Sequence, residues 1–150
     1  MIKIICIGKI KENYLKEAID EYKKRLSKYT KLEIIELPDA SFDIKKNLEV
    51  ERDLIIKSIK ETDYNILLDI NSKELNSIEF ANNLDRIRQV NSNINFIIGG
   101  SNGVHDDIRK IVNERISFSK LTFPHQLFRV ILLEQIYRSF KILNNEEYHK

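Results

Sequence analysis

Five short runs rich in β-branched residues recur along the chain, each followed by a segment with helical spacing, and this alternation leaves few folds open. The runs are IKIICIG (2–8), LEIIEL (32–37), YNILLDI (64–70), INFIIGG (94–100) and RISFS (115–119). Their length and composition suit buried strands. Strands that alternate with helices pair mostly in parallel, because a parallel neighbour requires a crossover and the crossover has a fixed hand. The expected fold is therefore an α/β domain with a mostly parallel sheet of five to six strands and helices on both faces. With 150 residues, the chain fits one such domain spanning 1–150.

Two of the helical segments carry a single apolar stripe. The first places Leu15, Ile19, Tyr22, Leu26 and Tyr29 on one side, and the third starts at a cap expected at Ser77 and places Ile78, Ala81, Leu84 and Ile87 together. The last helix departs from this pattern. From Pro124 onward, HQLFRVILLEQIYRSFKIL leaves little of its circumference polar, so it must be covered on more than one side. A sheet in a small domain covers one side, which predicts a homodimer built on this helix. The alternative is a helix sunk in its own core.

Hydrophobic residues make up 42% and charged residues 32% of the chain, which excludes disorder and a membrane-embedded class. No apolar run approaches the roughly 20 residues that span a bilayer, and the start MIKIICIGKIKENY lacks the features of a signal peptide. The expected compartment is the cytoplasm. Cys6 has no partner for a disulfide and sits in an apolar run, where a buried inert thiol is expected. Charge is uneven: Lys9 to Lys31 carries eight Lys/Arg against four Asp/Glu, and Leu32 to Glu79 carries six against twelve. The basic first helix either faces phosphates or is a solvated surface. Three histidines and one cysteine, all scattered, give no metal-ligand spacing, and no metal is expected.

Three of the four glycines, Gly99, Gly100 and Gly103, follow the fourth strand. Ligands of open α/β sheets bind beyond the strands' carboxyl ends, and three glycines exceed what a tight turn needs, which favours a ligand site there. The spacing G-G-x-x-G after a fourth strand does not match a dinucleotide fingerprint. The same residues also read as G-x-S-x-G with Ser101 as a hydrolase nucleophile, although five short strands are few for that fold.

Longer stretches carry a more specific signal. FIIGGSNGVH, SFSKLTFPHQLFRVILLEQIYRSFKI and the closing YHK, together with IGKIKENYLKEAIDEYKKRL and LLDINSKELNSIEFA, closely resemble the ribosomal RNA large subunit methyltransferase H family, a small member of the SPOUT class. The resemblance implies a dimeric enzyme that uses S-adenosyl-L-methionine to methylate N3 of a pseudouridine in the helix 69 stem-loop of 23S rRNA, on the assembled ribosome. It also implies a C-terminal trefoil knot, against the general rule that chains are unknotted. Carried over residue by residue, donor contacts fall on Leu68, Gly99, Phe118, Ser119, Lys120, Leu121, Thr122 and Phe123. Two positions depart from the family pattern: Ser72 and Asn145 stand where relatives often have glycine.

The chemistry assigns further roles. N3 of the base must lose a proton before it attacks a methyl group. His149, whose ordinary pKa is near 6.5, is the candidate for proton handling, or else a tail residue that contacts phosphate. Tyr148 is a candidate to stack on the base. Arg129, Arg138 and Lys150 are candidates for RNA phosphates, with pairing to Glu134 or helix capping as the alternative for both arginines. His125 is expected to be structural. A second functional class, a non-catalytic RNA-binding module of the same fold, differs by not binding the donor.

Overall fold

The computed structural model describes residues 1–150. The elements alternate strictly: β1 (Ile2–Ile7), α1 (Asn13–Leu26), β2 (Leu32–Leu37), α2 (Ile44–Ser58), β3 (Tyr64–Glu74), α3 (Ser77–Arg88), β4 (Ile94–Ile98), α4 (Asp106–Ile111), β5 (Glu114–Ser117) and α5 (His125–Leu143). The sheet has five strands in the order β2-β1-β4-β3-β5. Every neighbouring pair is parallel.

Strand residues alternate between two faces, and the two cores follow that period. Ile2, Ile4 and Cys6 of β1 and Ile94, Phe96 and Ile98 of β4 join α1, α3 and α5 in the larger core. Ile5, Ile7 and Ile97 face the other way and pack with Ile55 of α2 and Ile108 of α4. All five residues of β4 are buried, which explains why its sequence is apolar on both faces, apart from Asn95, whose amide donates to Asp63 and Asn65. Cys6 is buried, and burial pushes its thiol up to about 11, consistent with an inert core residue.

Two boundaries differ from the sequence reading. The cap of α3 is Asn76, not Ser77: its side chain accepts from the Glu79 N–H at 2.8 Å while Glu79 Oε1 accepts from the Asn76 N–H at 2.9 Å. This reciprocal box leaves Ser77 as the first helical residue, whose hydroxyl donates to Gln135 of α5 at 2.9 Å. The other difference is in β3. Ile116 of β5 is opposite both Leu68 and Lys73, so Asp69 to Ser72 form a bulge and the strand resumes beyond it to Glu74. Ser72, one of the two departures from the family pattern, lies in this bulge and donates its hydroxyl to the Asp69 carbonyl.

Helix α5 is covered more fully by its own chain than its sequence suggests. It packs against both α1 and α3 and shares the larger core with the sheet, and Leu132, Leu133, Ile136, Tyr137 and Phe140 are buried within the one chain. The expectation that a single sheet face would be its only cover overlooked these flanking helices. The surface left over is small: Leu127 is 38% exposed, and Val130 and Ile131 are half-buried. The helix ends in a Schellman turn, with the Glu146 N–H on the Lys141 carbonyl and the Asn145 N–H on the Ile142 carbonyl. Asn145 takes φ of 54° there, the left-handed conformation for which asparagine is the best substitute for glycine.

Arg129 is the largest fully buried side chain. Its Nη2 donates to the carbonyls of Ile7 and Gly8 at 2.7 and 2.8 Å, and its Nη1 donates to Glu36 Oε2 at 2.9 Å. The expected contact with RNA phosphate is thereby overturned, because no face of this guanidinium reaches solvent. It fastens the first turns of α5 to the ends of β1 and β2. Removing one member of a buried, hydrogen-bonded charge cluster is strongly destabilising. Arg129→Ala is expected to lower unfolding stability by about 3 kcal/mol, seen as an earlier urea midpoint with an unchanged slope; an unshifted midpoint would contradict this role.

Candidate active site

Because all five strands are parallel, the bulge of β3 and the loops after β4 and β5 lie at the same edge of the sheet. These loops enclose a cavity of about 700 Å³, well within the roughly 300–1,000 Å³ of small-molecule sites. Leu68 to Asn71 form one wall, Gly99 to Val104 a second, and the segment after β5 a third, with Ile98, Ile116 and Phe128 supplying apolar surface. Seven of the eight residues expected at the donor line this cavity: Leu68, Gly99, Phe118, Ser119, Leu121, Thr122 and Phe123. Lys120 does not line it and is exposed. His125, expected to be purely structural, lies in the wall.

The glycine loop owes its composition partly to its own closure. Gly103 has φ of 79°, and a Cβ on Gly99 would sit 2.7 Å from both the Gly103 carbonyl oxygen and Val104 Cγ1. No larger residue fits at Gly99, and Gly103 is selected by backbone conformation. The glycines are thus turn residues that also line a cavity, and the excess of glycine is not by itself a mark of ligand approach. The segment after β5 is fixed by aromatic contacts. Phe118 meets Phe80 and Phe128 edge-on at ring distances of 5.4 and 5.2 Å, and Phe123 stacks on Phe128 at 6.0 Å. Phe128 belongs to the α5 stripe in sequence, where nothing marks it as a cavity residue.

Two charged residues of the lining, Asp69 and Arg109, carried no signal in the sequence. Asp69 follows Leu68 in the β3 bulge and Arg109 projects from α4; they pair at 2.9 Å. No three His, Cys, Asp or Glu side chains come together in a group that holds a metal, and no helix is long and apolar enough to cross a membrane.

The C-terminal residues are anchored elsewhere. Tyr148 donates its hydroxyl to Glu134 Oε1 at 2.7 Å, meets Tyr137 edge-on at 5.1 Å, and lies under the Arg138 guanidinium at 4.7 Å. Arg138 pairs with Glu134 at 3.1 Å and approaches His149 Nδ1 at 3.2 Å. Lys150 is exposed. None of Tyr148, His149, Lys150 or Arg138 lines the cavity. Phe128 is the last α5 residue of the cavity wall, and Glu134 and Arg138 follow it further along the helix, about 9 and 15 Å away at the helical rise per residue. Within one chain the residues that moor the expected catalytic tail are therefore about two to three turns of α5 from the expected donor site.

A strand-end cavity on a parallel sheet, walled by a glycine turn and the segment preceding a long terminal helix, defines an α/β ligand-binding enzyme fold, and the family described as "Predicted SPOUT methyltransferase" matches residues 1–149. Relatives that share the full length are similarly close. The chain is 53% identical to "Ribosomal RNA large subunit methyltransferase H" of Caldicellulosiruptor saccharolyticus over all of both chains. It is 52% identical to the protein of that name in Clostridium botulinum strain 657, and 48% identical to "Ribosomal RNA large subunit methyltransferase H 1" of Clostridium perfringens strain SM101, in each case over 99% of both chains. The chain belongs to the ribosomal RNA large subunit methyltransferase H family of SPOUT methyltransferases. Membership implies the trefoil knot and overrules a serine hydrolase built on Ser101.

Burial, and then the hydrogen bond to Glu134, push the Tyr148 phenol up to about 12. An ordinary tyrosine ionises near 10, so the folded chain holds this proton more tightly than the unfolded one. The stabilisation is fully present below about pH 10 and is lost as pH rises through about 12. Ultraviolet titration of the wild type minus Tyr148→Phe is expected to show a phenol that ionises at about pH 12; a midpoint near 10 would mean a solvated ring.

Proposed function

We propose that this protein is an S-adenosyl-L-methionine-dependent methyltransferase of large-subunit ribosomal RNA. The observation that carries the reading is the three-walled cavity in a chain that aligns end to end with enzymes named for this activity. The finer assignment, taken from the family resemblance, is N3 of a pseudouridine in the helix 69 stem-loop of 23S rRNA on the assembled ribosome. Such an enzyme works in the cytoplasm.

The residues present fit the donor. The cavity volume accommodates a molecule of nucleoside size, the tight backbone at Gly99 leaves the wall without side-chain bulk, and the lining mixes apolar surface with Ser117, Ser119 and Thr122. Leu68, Gly99 and the segment from Phe118 to Phe123, Lys120 included, would hold it. When bound, S-adenosyl-L-methionine supplies an electrophilic methyl group. The protein's own part is alignment, exclusion of water and management of the N3 proton.

His149 is assigned to that proton and Tyr148 to holding the base. Because these residues are moored on Glu134 and Arg138, about 9 to 15 Å along α5 from the last residue of their own cavity wall, we assign them to the cavity of a partner in a homodimer. The exposed remainder of α5 around Leu127, together with Leu121 at 72% exposure, supplies apolar surface for that contact. Arg138 and Lys150, carried with the tail, are assigned to RNA phosphates.

Incubation with ribosomes from a strain lacking the modification is expected to yield 3-methylpseudouridine, identified by mass spectrometry of the nucleosides. His149→Ala is expected to bind S-adenosylhomocysteine normally in calorimetry while methylating at least about 100-fold more slowly, in the range of a lost general base. Full methylation by that variant would remove His149 from catalysis.

A further inference from the structure

One ion pair joins two walls of the cavity. Arg109 donates from Nε to Asp69 Oδ2 at 2.9 Å, and from Nη1 to the Val104 carbonyl at 3.3 Å and to Asp106 Oδ1 at 2.6 Å. These bonds link the bulge after Leu68 to the end of the glycine loop. Asp69 has longer secondary contacts. Its side chain is 5% exposed, Arg115 Nη1 lies 3.9 Å from Oδ2, and the Asn71 N–H donates to Oδ1 at 3.3 Å.

The pair, whose two residues both line the cavity, has unspent hydrogen-bonding capacity. Arg109 uses Nε and Nη1 and leaves Nη2 uncommitted, while Asp69 Oδ1 receives only the long bond from Asn71. Apart from His125, these are the only ionisable side chains in the lining. An anion alone would meet Asp69 and Asp106 beside the guanidinium, and a cation alone would meet Arg109 and Arg115. A ligand that carries both charges a few ångströms apart satisfies both halves, and each charge taken from water then finds an opposite charge.

We propose that the Asp69–Arg109 pair receives the zwitterionic amino-acid end of the methyl donor, with its carboxylate on Arg109 Nη2 and its ammonium on Asp69 Oδ1. This rests on reading the cavity as the donor site. The guanidinium is fixed before binding by two carboxylates and a carbonyl, so little side-chain freedom is lost when the ligand arrives. Because the same bonds set the distance between two walls, the pair also orients the rest of the ligand.

Calorimetry with three ligands tests this: S-adenosylhomocysteine, its decarboxylated analogue, which keeps the amine, and 5′-methylthioadenosine, which lacks the whole amino-acid end. Arg109→Gln is expected to weaken S-adenosylhomocysteine about 10- to 100-fold, the range for a lost hydrogen bond to a charged group. The same variant is expected to bind the other two ligands within about twofold of the wild type, since neither offers a carboxylate to lose. Asp69→Asn is expected to weaken both amine-bearing ligands and spare 5′-methylthioadenosine. Equal losses for all three ligands would overturn the proposal and reduce the pair to a wall tie. If Arg109→Gln does not fold, the wild type alone decides, because decarboxylated ligand bound as tightly as S-adenosylhomocysteine would also overturn it. Wild type that binds none of the three would instead sink the donor-cavity reading, and the proposal with it.

Discussion

Parallel pairing of all five strands is the constraint from which the rest of the structure follows. It sends every strand-to-helix loop to one edge of the sheet, so residues far apart in sequence, such as Leu68, Gly99 and Thr122, line one cavity. Two devices then shape that edge. The bulge between Leu68 and Lys73 lets β3 pair with β5 on both sides of a loop that becomes a cavity wall. The buried Arg129 guanidinium fastens the start of α5 to the ends of β1 and β2, which fixes where the segment from Phe118 to Phe123 must pass.

Local pattern made the elements legible. The five β-branched runs coincide with the five strands to within a few residues, because buried strands in a parallel sheet are apolar on both faces and announce themselves by composition. What local pattern missed depends on distant partners. The α5 sequence alone suggested cover by a second subunit, whereas α1 and α3 supply much of that cover from within the chain. The cap of α3 is Asn76, one residue before the Ser77 expected from sequence, although the spacing of Asn76 and Glu79 was readable as a capping box. Arg129 was indistinguishable in sequence from a surface arginine; only the approach of the β1 carbonyls makes it a buried clamp.

The cavity was legible through family likeness more than through physics. The glycine loop pointed to the right edge of the sheet, yet Gly99 and Gly103 are largely explained by the turn they build. Asp69 and Arg109 had no sequence signature, since an ion pair across forty residues is created by the fold. The terminal Tyr-His-Lys shows the converse case: motif resemblance puts it in the reaction, and the structure moors it on Glu134 and Arg138, in the middle and second half of α5. The proposed chemistry, which brings tail and cavity together, therefore rests on the proposed homodimer.

A crystal structure with S-adenosylhomocysteine tests the donor cavity and the two-chain site at once. The predicted result is ligand density between Leu68, Gly99 and Thr122, with the terminal histidine of a second protomer at the cavity mouth. Ligand bound elsewhere, or a cavity occupied with no second chain near it, would contradict the corresponding half of that picture.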